Sequence, residues 1–227
     1  MVQSFWSKWQ GRRKFIRDIL LLGSAMSLAG PACKPADTLN GPGQGPAGYS
    51  FGTGDIAVLN FLFMLEQFSA GFYSHINAKL YTGAAKDEMM LLSNIAVHEI
   101  CHREFFKTAL GSNALPDLVL DFGSIDFTNR TTVLTAAIQF EDLGVKAATA
   151  AAASIQSAAF VTIAAQIISV ECRHATYVHE LLSPGSFTGA SLTTPSSLEA
   201  LVRPAQAFSR LSPFIRTKLD QSALQTL

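Results

Sequence analysis

Two short stretches, Glu99-Ile100-Cys101-His102 and Glu171-Cys172-Arg173-His174, decide how this chain is read. Each sets a carboxylate and an imidazole three residues apart, which on a helix is one face, roughly 60° apart in rotation. Each also lies within a long run free of proline whose apolar residues recur at three- and four-residue steps. The first run extends from about residue 84 to 110 and stops at Gly111, a residue suited to ending a helix. The second extends from about 158 to 182 and stops at Ser183-Pro184-Gly185. Two more runs complete the set. Asp55 to Tyr81 has one internal glycine, Gly71, and either Thr53 or Asp55 is placed to cap its start. About Asn129 to Ala153 is rich in alanine, the best helix former. No stretch alternates strongly between turn signals, so no sheet is expected.

The lengths suggest how the four helices connect. Helices of about 25 residues extend roughly 37 Å. The first and second runs, and the third and fourth, have short connections, which makes each pair antiparallel neighbours. Residues 112–128, with Pro116 and Gly123, read as irregular and are long enough in extended form to run the length of a helix. Two hairpins joined by one long crossover between helices 2 and 3 is the ferritin-like form of the all-α four-helix bundle. Its span is taken as residues 55–183. A C-terminal extension, 184–227, carries two shorter helical pieces around Leu198–Val202 and Pro213–Leu219.

Periodicity places one glutamate of each helix on the inward side. Glu66 shares its face with Leu59, Leu62, Phe63, Ala70 and Tyr73, and Glu141 shares its face with Leu134, Ile138, Val145 and Ala148. Glu99 and Glu171 bring His102 and His174 with them. An ionised carboxylate in an apolar interior costs several kcal/mol unless it is paired or bound to metal. Two divalent ions carry four positive charges, which balances the four carboxylates. One Glu from each of two helices and Glu-x-x-His from the other two is the ligand pattern of di-iron and di-manganese bundles. The intervals support pairing, because Glu66 to Glu99 spans 33 residues and Glu141 to Glu171 spans 30.

Glu66-Gln67-Phe68-Ser69-Ala70-Gly71-Phe72-Tyr73, His98-Glu99-x-x-His102, Glu141-Asp142-Leu143-Gly144-Val145 and Val170-Glu171-Cys172-Arg173-His174 resemble the exported ferritin-like family that includes desiccation-related proteins of plants and bacteria. The resemblance covers roughly residues 54–183 and departs at the alanine-rich Ala147–Ala153. It implies a dinuclear iron or manganese centre in which Glu99 and Glu171 bridge the ions, Glu66 and Glu141 are terminal ligands, and His102 and His174 take one ion each. Oxygen, peroxide or ferrous iron are then the expected small substrates. Ferroxidase, peroxidase and catalase-like reactions all fit such a site.

The same residues admit other readings. His98-Glu99-Ile100-Cys101-His102 also spells the zinc-peptidase helix motif, with both histidines on zinc and Glu99 as general base. That reading lacks a sheet to hold a substrate backbone and leaves Glu66, Glu141 and the second Glu-x-x-His unexplained. A third class is a stress-protective bundle whose metal is structural. On the bundle reading His98 is displaced from the site face and reads as an ordinary polar neighbour, with a place behind one of the ligands as the alternative. Tyr73, two turns from Glu66, reads as a buried tyrosine satisfied elsewhere, with a hydrogen-bond or redox role beside the metals as the alternative. Arg173 and Asp142 read as surface ion-pairing residues. Cys101 and Cys172 point away from the ligand faces and read as small core residues, open to pairing in an oxidising compartment.

Hydrophobic residues make up 48% of the 227 and charged residues 15%, which excludes a disordered charged chain. Three cysteines exclude a disulfide-dense scaffold. The formal net charge of zero conceals a division. Residues 1–34 carry Lys8, Arg12, Arg13, Lys14, Arg17 and Lys34 against Asp18 alone, a net of +5, and the remainder is −5. A mildly acidic body offers no footprint for nucleic acid. The basic start precedes the apolar run Ile19–Ala29, too short to span a membrane comfortably, so residues 1–34 read as an export signal. Arg12-Arg13-Lys14-Phe15-Ile16-Arg17 resembles the twin-arginine signal, which places the product in the periplasm or outside the cell. A general secretory signal and a lipid anchor on Cys33 are the alternatives. Residues 35–54, dense in glycine and proline, read as a flexible tether. Assembly stays open, a homodimer included.

Overall fold

The computed structural model describes residues 44–45, 47–79, 81–186 and 201–227. The export signal, Cys33, most of the tether and the first part of the helix expected at Leu198–Val202 lie outside the described residues. Four long helices form the body: α1 Gly54–Ala78, α2 Lys86–Leu110, α3 Arg130–Ala152 and α4 Ala158–Leu182. α1 packs on α2 and α3 packs on α4, with α1 against α3 and α2 against α4 closing the bundle. The all-α bundle with its crossover between helices 2 and 3 is therefore the architecture. A short helix, α5 Pro204–Leu211, follows with turns of 3-10 helix on either side of β3, Leu219–Asp220.

The crossover runs beside α1. Asn60 takes the backbone N–H of Leu115 on Oδ1 at 2.9 Å, and its amide donates to the carbonyls of Asn113 and Phe51 at 2.8 and 3.0 Å. Seven residues on, Gln67 accepts from the Leu118 N–H at 2.8 Å and donates to the Pro116 carbonyl at 3.3 Å. Further along, Leu120 reaches Gly71, where a Cβ would lie 2.5 Å from its Cδ1. The His75 ring then meets Phe122 at 6.2 Å. From Asn60 to His75 a helix rises about 22 Å, and extended chain from Leu115 to Phe122 covers about 23 Å. The two advances match, so the crossover tracks the helix in extended form without slack, about two helix residues to each of its own. Gly71 is what allows the close approach.

The tail closes over what remains of α1. Phe208 of α5 meets Phe51 edge-on at 6.2 Å, and Phe214 meets Phe68, Phe122 and Phe140 within 5.9 Å. Every residue from Ala57 to Phe68 is buried as a result. α1 is long and apolar enough to cross a membrane, yet 83% of its apolar window is inside the protein, as befits the central helix of a bundle.

Several expectations change. Where composition predicts a tether, β1 Gln44–Gly45 and β2 Gly48–Ser50 pair antiparallel, and β2 pairs in parallel with β3 through Tyr49 and Leu219. Phe51 is fully buried, and its burial holds this glycine-rich segment down. A small three-stranded sheet thus exists where none was expected. The tail helix is Pro204–Leu211, not Pro213–Leu219, because Pro204 opens it with a preset φ while Pro213 sits in a 3-10 turn. Asn129 caps α3 by accepting from the Thr132 N–H at 3.0 Å. Thr53 makes no side-chain cap, and Asp55 serves α4 instead, accepting from the N–H groups of Gln156 and Ser157 at 2.7 and 2.9 Å.

A polar clasp ties α2 to the second hairpin. Arg130 donates to both oxygens of Glu88 at 2.6–3.1 Å and to the Leu181 carbonyl at 2.7 Å, while the Tyr81 hydroxyl donates to Glu88. Burial pushes the Glu88 carboxyl up, but Arg130 and Tyr81 outweigh it and hold it below the ordinary value. Arg130→Ala is expected to cost roughly 2 kcal/mol in urea unfolding at pH 7, since Glu88 keeps its burial and loses its charged partner. The native stabilisation from Glu88 is complete above the ordinary glutamate value of about 4.3 and is lost as pH falls through its own lower value. The difference between wild type and variant should therefore shrink in acid.

Candidate metal centre

The six candidate ligands converge midway along the bundle. α1 supplies Glu66, α2 supplies Glu99 and His102, α3 supplies Glu141, and α4 supplies Glu171 and His174. On α2 the buried stripe Leu92, Ile95, Ala96, Glu99, Phe106, Leu110 carries the carboxylate inward. On α4 Ile163, Ala164, Glu171, His174, Ala175 and Val178 do the same. Three of the glutamates are 5% exposed or less, and Glu99 is wholly inaccessible.

Two groups of four emerge. Glu66, Glu99, His102 and Glu171 bring one ligand atom each within 4.8 Å of one another, as do Glu99, Glu141, Glu171 and His174. Glu99 and Glu171 belong to both. His102 Nδ1 lies 2.8 Å from Glu171 Oε1 and 3.3 Å from Glu66 Oε2. His174 Nδ1 lies 2.7 Å from Glu99 Oε1 and 3.4 Å from Glu171 Oε2.

These contacts leave the cluster short of partners. Glu66 Oε2, Glu99 Oε2, Glu171 Oε1 and His102 Nδ1 are buried and make no hydrogen bond, although the last two are close in distance. Orphaned polar atoms of this kind are rare in native interiors and call for a specific explanation. Hard carboxylate oxygens with imidazole nitrogens suit iron, manganese or zinc. A cation between these atoms would satisfy all four at once, so the donor set fits.

Without a cation the charges redistribute. Burial, reinforced by Glu171, pushes the Glu66 and Glu99 carboxyls well up, and burial with Glu99 does the same to Glu141. Glu171 goes the other way. Burial would raise it, but His102 and His174 overcome that and bring it to about 2. His174, despite its burial, is raised to about 10 by Glu171 and Glu99. The cluster thus holds protons where a metal would put positive charge.

The two groups differ in their surroundings. His102 is the wettest member, with 15% of its side chain accessible, against 2% for His174. Around the dry group two further residues appear that the spacing did not assign. Tyr73, expected to be satisfied elsewhere, donates its hydroxyl to Glu141 Oε1 at 2.5 Å. His98 Nδ1 lies 3.0 Å from His174 Nε2. The helix positions were visible in sequence, but not that each side chain crosses to a neighbouring helix. Tyr73→Phe is expected to lose about 1 kcal/mol of stability and to release Glu141 for rotation, weakening metal uptake severalfold in a Mn(II) titration.

Other expectations resolve as follows. His98 belongs to neither group of four, whereas His102 belongs to the first. Asp142 pairs with His179 at 3.1 Å. Arg173 is exposed. Cys101 and Cys172, expected in the core, are both exposed and both free, because each points outward from its helix.

The family model for the ferritin-like domain matches residues 54–184, more than half the chain. The chain belongs to the ferritin-like domain family. The matched span runs from the first residue of α1 to just past α4, so the ferritin-like domain is the bundle that carries all six candidate ligands. No curated protein and no solved structure matches the chain significantly.

Proposed function

We propose that this ferritin-like protein is exported and holds a dinuclear iron or manganese centre that reacts with oxygen or peroxide in stress protection, as in the desiccation-related branch that its motifs resemble. The observation that carries the proposal is the pair of four-residue groups sharing Glu99 and Glu171. In this reading Glu66, Glu99, His102 and Glu171 would hold one ion, and Glu99, Glu141, Glu171 and His174 would hold the other. When bound there, iron or manganese would supply one-electron redox chemistry towards a small oxidant. The chain supplies the rest. Glu141, fixed by Tyr73, and His174 close the dry side, with Tyr73 1% exposed. The accessible edge at His102 is where a molecule as small as oxygen, peroxide or ferrous iron would enter. Arg12-Arg13 and the apolar run after them support export by the twin-arginine route, and the protein would then fold and load metal before it crosses the membrane.

The test is metal content per chain on protein purified from its native compartment, followed by an oxygen or peroxide challenge watched by absorbance. Two equivalents of iron or manganese with a spectral change are expected. Two equivalents with no response would favour the structural, non-catalytic bundle. One zinc and no response would return the peptidase reading. Fractionation of cells carrying Arg12→Lys and Arg13→Lys together tests the route, with the protein expected to stay in the cytoplasm.

A further inference from the structure

His98 touches the cluster without joining it. Its ring meets that of His174 edge to edge, with centroids 5.3 Å apart and planes inclined by only 24°, and its Nδ1 faces His174 Nε2 at 3.0 Å. His174 turns its other nitrogen, Nδ1, to Glu99 and Glu171. One imidazole therefore has an inward nitrogen among the carboxylates and an outward nitrogen on a second imidazole. His102, the other candidate ligand of its type, has no such outer partner among the described residues.

A histidine that binds metal offers a bare nitrogen, and the hydrogen bond made by the other nitrogen decides which one that is. For His174 to offer Nδ1, its proton must sit on Nε2 and be donated to His98 Nδ1. His98 then carries its own proton on Nε2. We propose that His98 is the positioning residue of the centre: it fixes the tautomer and ring orientation of His174 so that Nδ1 faces the metal. This rests on the dinuclear reading of the site. His98 can do so from the surface, because it lies in a cleft of about 270 Å³ between α2 and α4, with Asn94, Arg173 and Tyr177 around it and His174 below. Exposure leaves its outer nitrogen hydrated while the inner one is held against His174.

The proposal makes a distinction between side chains that a packing role would not. The Oδ1 of asparagine falls where histidine has Nδ1, the glutamine Oε1 falls further out, and leucine has similar bulk with no acceptor. Co(II) alone is titrated anaerobically into metal-free wild type, His98→Asn, His98→Gln and His98→Leu, with visible absorption and dissociation constants as readouts. Wild type and His98→Asn are expected to agree within about threefold. His98→Leu and His98→Gln should bind one of two ions roughly 10–100-fold more weakly, with an altered spectrum for that ion. Equal affinities and spectra in wild type and His98→Leu would overturn the role of His98 while leaving the centre in place. Asparagine as weak as leucine would overturn it too, by removing the acceptor argument. A wild type that takes up no Co(II) would overturn the metal reading and this assignment together. If the leucine variant fails to fold, the asparagine and glutamine pair decides.

Discussion

Glu99→Ala and Glu171→Ala are each expected to strip the proposed centre of both its ions, whereas Glu66→Ala should remove only one. The difference follows from membership: Glu99 and Glu171 belong to both groups of four, and Glu66 to one. Metal analysis on proteins purified side by side reads it directly. Full metal content in both shared-residue variants would sink the ligand assignment. Stability gives a second reading. Free Mn(II) at a thousand times its dissociation constant should stabilise the wild type by about 4 kcal/mol for each ion bound, roughly 8–16 °C in melting temperature per ion for a chain of this size. Glu99→Gln, which keeps the shape and an acceptor for His174, should gain almost nothing from metal. Its metal-free form should melt no more than a few degrees below the wild type, since the amide removes a carboxylate that burial disfavours.

The pH dependence of the metal-free protein has a definite sign. Burial raises Glu66, Glu99 and Glu141, and Glu171 and Glu99 raise His174 against its burial. A group raised in the folded state contributes stability that is complete below its unfolded value and lost as pH rises through its folded value. For the three carboxylates the gain grows as pH falls from neutrality towards the ordinary value of about 4.3. Glu171, lowered in the fold, opposes only below that point. Metal-free protein should therefore melt higher at pH 5 than at pH 7.5. The loaded protein should do the reverse, because protons compete with the ions for the ligands. Parallel pH profiles for the two forms would contradict a protonated cluster that metal replaces.

How much of this was legible beforehand depends on the element. α4 begins and ends where its apolar period and the Ser183-Pro184-Gly185 stop place it, and α2 ends at Gly111 as expected. The six candidate ligands were legible because each helix carries one carboxylate among its apolar residues, and two of the four add a histidine three residues on. The partners of Tyr73 and His98 are hidden for a shared reason. Spacing along one helix says which way a side chain leaves the axis, but not what waits on the next helix. Tyr73 finds Glu141 of α3, and His98 finds His174 of α4. The strands at 44–50 were hidden by composition, since glycine there serves close pairing beside β3, with Gly48 at φ 121° against the Lys218 carbonyl. α1 blurred its own period for the opposite reason. With α2, α3, the crossover and the tail all against it, Ala57 to Phe68 leaves no polar side to read.

Asn60→Ala should be among the most destabilising single changes outside the centre, at about 4 kcal/mol, or roughly 8–16 °C in melting temperature. Asn60 is wholly buried and its amide makes three hydrogen bonds. Alanine would leave the Leu115 N–H and the Phe51 carbonyl without their side-chain partner in places where water does not reach, and would add a cavity. The location raises the consequence. Asn60 fastens the start of the crossover and the entry into α1 to the same turn of helix, and Gln67, beside the candidate ligand Glu66, fastens the next stretch. Loosening the first clamp lets the chain between Leu115 and Leu120 shift along α1, where the match of advances leaves no slack. Asn60→Asp separates donor from acceptor. Its carboxylate can still take the Leu115 N–H, but it faces two carbonyl oxygens with no proton to give. At pH 7 it should cost at least as much as alanine, and it should recover in acid once the carboxyl can donate. A loss below about 1 kcal/mol in Asn60→Ala, measured by urea unfolding, would mean that the apolar seal of Phe51, Leu115 and the tail holds the crossover without its polar clamp.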